Sequence, residues 1–316
     1  MRYIEDFKED DRIIDHFLCK QKHSLKSRSG KTYLSLKLQD KTGTIDAKVW
    51  ELNNDIQSFE ENDYIKVDGV VVTYQNDVQL KVSKIRKSKD GEYDPSDYIP
   101  VTDKDITSLY NQLKEYIASV RNVHIRTLLE NIFYKNSIIS ENIKTHSAAK
   151  QMHHSFMGGL LEHTVSVVSI CQYLSDKYKY VNRDLLIAGA LLHDVGKIYE
   201  LSSFPENEYT DDGQLIGHLV MCSELIGKEA AKIDNFPHQL ESLLKHLVLS
   251  HHGLLEYGSP KIPQTIEAFI LHCVDDMDAK VKMFEEMIQS DNTQGNWVGY
   301  HKMLARNIRK SDFDEK

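Results

Sequence analysis

Histidines and aspartates cluster in the middle of this 316-residue sequence. Eleven of its fifteen histidines lie between His146 and His272, and several of them stand close to aspartates. Imidazole nitrogen binds divalent transition metals and carboxylate oxygen is a harder ligand, so a mixed set suits Mn, Fe, Zn or Mg with positions left for water. Two such ions about 3.5–4 Å apart can clamp a phosphate during displacement. The cluster therefore predicts hydrolytic metal chemistry.

The ends and faces of predicted helices position these side chains. Apolar residues recur at helical spacing in MGGLLEHTVSVVSICQYL, ALLHDVGK, GQLIGHLVMCSELIG, LLKHLVLSHHG and FILHCVDDMDAKVKMFEEM. The candidate metal ligands on them are His163, His193, Asp194, His218, His251 and Asp275.

The segments GGLLEHT and LLHDVGK, followed by a distal aspartate, resemble the HD superfamily of metal-dependent phosphohydrolases. The resemblance implies four ligands of one ion, at His163, His193, Asp194 and Asp275. Members with two ions use positions that correspond to His218 and His251, whereas a single-ion enzyme would leave these two as substrate contacts. His252 is an alternative or additional ligand beside His251.

Neighbouring residues have less direct roles in this interpretation. The spacing from His272 favours Asp275 over Asp276 and Asp278 as the distal ligand. Lys197 and Asp194 are the predicted catalytic residues, with Lys197 placed to contact a phosphate or the leaving group. The alternative for Lys197 is a lysine that interacts with a helix C-terminus. Supporting rather than ligating roles are expected for His153, His154, His246 and His272.

Short strands are predicted before this helical region. Leu34, Leu36 and Leu38 alternate with polar neighbours, and the same period of two continues through IDAKVW and two later segments. About five strands result, and a module of that size commonly closes into an OB-fold barrel. The run GKTYLSLKLQDKTGTIDAKVW resembles the second and third strands of OB-fold nucleic-acid-binding modules.

This module carries a basic and aromatic segment. From His16 to Lys48 there are eight Lys and Arg against two acidic residues. Bases stack on aromatic rings while cations follow phosphates, so the pattern favours binding of single strands. A solvated strand face with Trp50 in the barrel core is the alternative, and a core position is expected for Trp50. The predicted nucleic-acid contacts are Lys26, Arg28, Lys31, Tyr33 and Lys37.

The predicted fold class is multidomain, an N-terminal five-stranded OB-fold β-barrel followed by an all-α HD domain. Residues 1–87 form the barrel, 88–103 a polar linker, 104–295 the helical domain and 296–316 a basic tail that is a candidate for lining the substrate path. Residues 1–89 hold 17 Lys and Arg against 15 Asp and Glu, whereas the remainder holds 22 against 33. Metal-binding carboxylates contribute to that acidity without excluding a phosphate substrate.

The N-terminus lacks the basic and apolar regions of a signal peptide and no apolar run is long enough to span a bilayer, so a cytoplasmic protein without membrane association is expected. The four cysteines form no Cys-x-x-Cys pair. They are interpreted as buried thiols rather than as disulfides or a zinc site.

The order of OB fold and HD domain resembles the YhaM-type 3'-to-5' exoribonucleases of Gram-positive bacteria. The resemblance implies a manganese preference, with Mg, Fe, Co or Zn as alternatives, and single-stranded RNA as the substrate. It also implies action on single-stranded DNA and assembly into a homo-oligomer. The alternatives are an HD phosphohydrolase of small nucleotides and a non-enzymatic factor that binds single-stranded DNA.

Overall fold

The computed structural model describes residues 2–27, 30–74, 77–150, 156–289, 291 and 295–311. Two units make up the chain: Met1–Val101 with Phe204–Glu206, and Thr102–Ser203 with Asn207–Lys316. Within the described part of the chain, no helix has both the length and the apolar character of a membrane span.

Five strands close into a barrel in the first unit, because their inward residues are apolar and their outward residues are polar. The strands are β1 (Arg12–Lys26), β2 (Thr32–Asp40), β3 (Gly43–Val49), β4 (Tyr64–Tyr74) and β5 (Asp77–Lys87). They pair in the order β1-β2-β3-β5-β4, and β4 returns to β1. A register shift between Cys19 and Gln21 lets the long β1 pair with β4 and then with β2. The barrel interior is filled by Phe17, Leu36, Leu38, Ile65, Leu80 and Ile85.

The turn between β2 and β3 is organised by the buried carboxylate of Asp40. It accepts hydrogen bonds from the Thr42 amide at 2.8 Å, the Thr42 hydroxyl at 2.6 Å and the Gly43 amide at 3.2 Å. Its other oxygen accepts from the amide of Ile4 at 2.6 Å. An aspartate that bonds to the backbone two residues on stabilises a tight turn, so the Asp-Lys-Thr-Gly sequence fixes the register of β2 and β3.

Helices build the second unit. They are α1 (Ile106–Ser119), α2 (Val123–Glu130), a π-helical turn (Asn131–Lys135), α3 (Ser137–Asn142), α4 (Gly159–Lys177), α5 (Arg183–Leu192), α6 (Lys197–Glu200), α7 (Asp211–Leu215), α8 (His218–Ala230), α9 (His238–Ser250) and α10 (Ile266–Gln289). In α5, residues 185–192 are all buried. A helix that is apolar on every side lies in the core, and α4, α9 and α10 contact α5. His193 and Asp194, which follow α5 directly, are consequently buried as well.

The predicted basic tail contains a hairpin of β6 (Trp297–His301) and β7 (Arg306–Arg309). The expectation that all four cysteines are buried was wrong. Cys19, Cys171 and Cys222 are buried as expected, but Cys273 is exposed because it lies on the outer side of α10.

Candidate metal centre

Four predicted ligands meet where α4, α5 and α10 come together. The Nε2 atoms of His163 and His193 lie 3.2 Å apart. Oδ1 of Asp275 is 3.0 Å from Nε2 of His163 and 3.7 Å from Nε2 of His193. Oδ2 of Asp194 is 3.6 Å and 3.4 Å from the same two nitrogens. Two imidazoles and two carboxylates thus converge on one point.

Asp194 also faces a second group of histidines. Its Oδ1 atom lies 3.5 Å from Nε2 of His218 and 3.7 Å from Nε2 of His251. His252 joins these two in a set of ligand atoms that all lie within 4.8 Å of one another. The two oxygens of one carboxylate therefore face two different ligand groups, and both His251 and His252 are near the second one.

Gly196 allows Asp194 and His218 to lie close together, because the backbone of the HDVGK segment contacts the start of α8. A Cβ atom on Gly196 would lie 2.3 Å from the carbonyl oxygen of His218. Contact this close requires a residue without a side chain. The close contact between Gly196 and His218 brings the side chain of Asp194, which follows α5, next to that of His218, which begins α8.

The donor atoms fit divalent cations. Ligands at about 2.0–2.2 Å from an ion lie roughly 3.0–3.5 Å apart in tetrahedral or octahedral geometry, which is near the spacing found here. Among the described residues, Oδ1 of Asp194 and Nε2 of His218 are buried side-chain atoms without a hydrogen-bond partner. Buried polar atoms are nearly always paired, so a cation between these two atoms would supply the missing partner.

Outward hydrogen bonds hold the imidazoles in the ligating orientation. Nδ1 of His163 lies 2.8 Å from Oδ2 of Asp278, and Nδ1 of His218 lies 2.9 Å from Oε1 of Glu200. Nδ1 of His193 and of His251 donate to main-chain carbonyls at 2.8 Å and 2.7 Å, respectively. An outer acceptor at Nδ1 fixes the tautomer that leaves Nε2 for a metal.

Burial and neighbouring charges set the protonation states of the candidate ligands. Burial would raise the pKa of Asp194, but Lys197 and His193 hold that pKa well below its usual range. Burial lowers the pKa of His251 well below its ordinary value, so this imidazole is neutral at pH 7. Burial also opposes protonation of His163, but hydrogen bonds to Asp275 and Asp278 raise its pKa to about 10. A cation that binds at Nε2 of His163 must displace that proton.

Lys197 points at the centre rather than acting as a helix C-terminal residue. It begins the short helix α6, and its Nζ atom donates to Oδ2 of Asp194 at 2.7 Å. Its side chain is 18% exposed, and it lines a cavity of about 320 Å³ together with His163, Asp194, His252, Tyr257 and Asp275. The ammonium group can therefore contact both the bridging carboxylate and a molecule in the cavity.

Other histidines and aspartates have structural contacts. His246 accepts a hydrogen bond from the amide of Gln264 at 2.9 Å, and Nδ1 of His272 lies 2.9 Å from the carbonyl of His251. Asp276 is paired with Lys280 at 2.7 Å. His153 and His154 lie outside the described residues. Sequence reasoning did not find the roles of Asp278 and Glu200, which only the long-range packing of helices brings to His163 and His218.

On the barrel, the predicted nucleic-acid residues lie on the outer side of β2 and next to it. Tyr33 and Lys37 alternate with inward leucines, and Lys26 and Lys31 are exposed. Arg28 lies outside the described residues. Trp50 is 45% exposed and stacks on Tyr33, with ring centroids 4.5 Å apart and an angle of 23°. The expectation of a core position for Trp50 was wrong, because Val49 takes the inward position.

Two segments of the chain match models of known protein families. Residues 160–280 match the HD domain, and residues 20–87 match an OB-fold nucleic acid binding domain. The first match contains α4 to most of α10, and the second contains the barrel strands apart from the start of β1. The predicted fold class, a five-stranded OB barrel followed by a helical HD domain, is therefore confirmed.

Solved structures resemble parts of the chain at low identity. The second OB-fold domain of replication protein A from Methanococcus maripaludis is 18% identical, covers 28% of this chain and 96% of its own, and has a TM-score of 0.24. An OB domain from Thermoplasma acidophilum is 16% identical, with coverage of 29% and 90% and a TM-score of 0.23. Aspartyl tRNA synthetase from Entamoeba histolytica is 13% identical, with coverage of 54% and 34% and a TM-score of 0.22. These scores carry no argument about activity.

Proposed function

We propose that this HD-domain phosphohydrolase with a nucleic-acid-binding OB fold is a metal-dependent 3'-to-5' exoribonuclease. It degrades single-stranded RNA, and also single-stranded DNA, to nucleoside monophosphates. The observation that carries the proposal is the carboxylate of Asp194, whose two oxygens face two separate groups of ligand atoms. Such a bridged pair of sites suits attack of water on a phosphodiester.

In this proposal two divalent ions, most suitably Mn²⁺, would be held by His163, His193, Asp194 and Asp275 on one side and by His218 and His251 on the other. When bound, the ions polarise the phosphate and supply an activated water. Mg²⁺, Fe²⁺, Co²⁺ and Zn²⁺ suit the same donor types.

The side chains of the centre orient the reactants. Asp194 is ionised, because Lys197 and His193 oppose the effect of burial on its pKa, and it can hold a cation on each side. Lys197 lies against Asp194 and lines the cavity, where its charge stabilises the negative charge that develops on the phosphate or leaving oxygen. Asp278 and Glu200 keep His163 and His218 in place.

The surroundings of the centre and the barrel support a single-stranded substrate. A cavity of about 320 Å³ is at the lower end of ligand-site volumes, which suits one terminal nucleotide better than a duplex. On the barrel, the exposed Trp50 stacks on the half-buried Tyr33, and the exposed Lys31 and Lys37 lie just before β2 and on it. Bases stack on such surfaces without sequence preference. The 3'-to-5' direction rests on the resemblance to the YhaM-type enzymes.

The test uses a single-stranded RNA labelled at its 5' end, with and without a block at the 3' end, in Mn²⁺ and then in EDTA. The proposal predicts a ladder that shortens from the free 3' end and stops in EDTA. Asp194→Asn should reduce cleavage by a factor of about 10³ or more, because both ion sites lose an anionic ligand. Asp176→Asn, an exposed residue of α4, is the matched control and should cleave normally.

The outcomes separate the alternatives. If the RNA is stable but free nucleotides are hydrolysed, the protein is a small-nucleotide phosphohydrolase. If oligonucleotides bind but neither substrate is hydrolysed with any divalent ion, it is a binding factor. Full activity of Asp194→Asn would contradict the proposed role of the bridging carboxylate.

A further inference from the structure

The hairpin β6–β7 presents two faces of opposite character. Trp297 pairs with Arg309, Gly299 with Ile308 and Tyr300 with Asn307, and the register shifts between Trp297 and Gly299. Cross-strand partners lie on the same face of a ribbon. Asn307 and Arg309 flank Ile308 and therefore share the face opposite to it.

The register shift brings both aromatic residues of β6 to the outer face. Residues 297 and 300 are three apart and would alternate in a regular strand, but a bulge adds one residue and restores their common side. Trp297 is 62% exposed and Tyr300 is 61% exposed, whereas Ile308 is 1% exposed. The inner face anchors the hairpin, and the outer face presents two large rings beside the guanidinium of Arg309.

The charge of the hairpin differs from that of the rest of its unit. Residues 295–311 contain four Lys and Arg and no Asp or Glu, whereas residues 102–203 and 207–294 contain 17 Lys and Arg against 25 Asp and Glu. Residues 312–316 add one lysine and three acidic residues in sequence, so 295–316 still has an excess of cationic residues. The cationic residues of the hairpin are Lys302, Arg306, Arg309 and Lys310. Lys310 is paired with Asp291 at 2.8 Å, and Arg306 lies on the face of Ile308, so Arg309 is the cation of β7 on the outer face.

We infer that the outer face of this hairpin binds single-stranded nucleic acid, with bases stacked on Trp297 and Tyr300 and a phosphate at Arg309. Exposed rings beside cations bind unpaired bases and their phosphates. A duplex does not offer base faces to the rings. An acidic protein surface would pair with the cations, but it would not require flat aromatic surfaces for stacking. The inference takes the class of ligand from the proposed function but does not depend on catalysis.

The first experiment measures binding of the full chain to fluorescent oligouridylate in EDTA, where metal-dependent hydrolysis cannot contribute. Trp297→Ala with Tyr300→Ala should weaken binding about tenfold or more, since each stacked base contributes substantially to affinity. Arg309→Gln should lower the slope of log K against log salt concentration by about 0.7. Tyr173→Ala with Tyr180→Ala is the matched control, because these tyrosines are 66% and 84% exposed in the same unit.

A second readout assigns the contact directly. An oligonucleotide that contains 5-iodouridine should photocrosslink to peptides of residues 295–311, and the crosslink should persist when Tyr33 and Trp50 on the barrel are replaced by alanine. If the alanine pair at 297 and 300 lost its circular dichroism signal, Arg309→Gln and the crosslink would decide the inference. Unchanged affinity in the hairpin variants together with crosslinks confined to the barrel would overturn it, as would absence of binding by the unmodified chain.

A separate measurement keeps failure of the proposed function apart from failure of this inference. Hydrolysis of bis(p-nitrophenyl) phosphate in Mn²⁺ tests the metal centre without a polynucleotide. Hairpin variants should retain this activity. Loss of oligonucleotide binding with intact hydrolysis supports the inference, and a chain that binds through the hairpin without hydrolysing anything contradicts the proposed function alone.

Discussion

Replacing Glu200 by glutamine should weaken metal binding on the His218 side of the centre. The Glu200 carboxylate accepts hydrogen bonds from the backbone amide of His218 at 3.0 Å and from its Nδ1 at 2.9 Å. Burial would raise the pKa of Glu200, but the contact with His218 lowers it, so the carboxylate is ionised at pH 7. Glutamine keeps the shape and one acceptor oxygen, and it removes the charge that increases the basicity of the imidazole.

The expected magnitude follows from the kind of hydrogen bond that is lost. Hydrogen bonds to charged groups contribute about 1.5–3 kcal/mol, against about 0.5–1.5 kcal/mol for neutral ones. The difference of about 1–1.5 kcal/mol corresponds to roughly a tenfold weaker ion affinity, within the about 10- to 100-fold range seen for such outer partners. Affinity on the other side should change less, because Asp278 still supports His163.

Isothermal titration of Mn²⁺ into the full chain, stripped with EDTA, measures this difference. Two binding steps are expected, and Glu200→Gln should weaken one of them by about tenfold. Glu224→Gln on α8, the helix that begins with His218, is the matched control, because Glu224 is 58% exposed and pairs with Lys228. The reasoning is refuted if Glu200→Gln gives the isotherm of the unmodified protein, or if Glu224→Gln produces the same loss.

Two further predictions concern stability. Gly253→Ala should destabilise the helical unit by about 1–3 kcal/mol more than Gly258→Ala in urea unfolding: both glycines have a φ near +80°, but a Cβ on Gly253 would lie 2.2 Å from the His272 ring whereas one on Gly258 meets nothing within 4 Å. Equal costs would show that the contact with the ring is relieved without strain. Burial lowers the pKa of His16, and the nearby charge of Lys66 lowers it further. In acid the unfolded chain therefore binds more protons than the folded chain. The barrel should consequently lose stability as the pH falls below about 6.5. His16→Gln should flatten this dependence in urea titrations between pH 7 and pH 5, and an unchanged slope would contradict the assignment.

The sequence indicated which histidines and aspartates lie close together, because most of them stand at the ends of apolar helices that pack against one another. His163, in the second turn of α4, and Asp275, in the middle of α10, are the exceptions. His193 follows α5, His218 begins α8 and His251 caps α9, as the helical periodicity indicated. The outer partners were not predictable in this way. Asp278 and His163 are separated by 115 residues, and no local spacing relates them.

The incorrect position of Trp50 and the hairpin that was not predicted both have physical explanations. Trp50 continues the outward positions of Asp46 and Lys48, so the alternation indicated exposure while the size of the ring suggested burial. The C-terminal hairpin, which the sequence analysis did not predict, is short, and its residues Leu304 and Ile308 are buried. Tertiary contacts of this kind cannot be read from local propensity.

The four histidines differ in how sensitive their orientation is to mutation of the residues that accept their outward hydrogen bonds. His193 and His251 are oriented by the main-chain carbonyls of Ala190 and Val248, and a carbonyl is retained whatever side chain stands at those positions. The helix backbone therefore sets the orientation of these two rings, and the side chains at positions 190 and 248 can change without loss of these hydrogen bonds. Nδ1 of His163 and Nδ1 of His218 instead lie against the carboxylates of Asp278 and Glu200, respectively. Loss of either acid by one nucleotide change would impair its half of the centre.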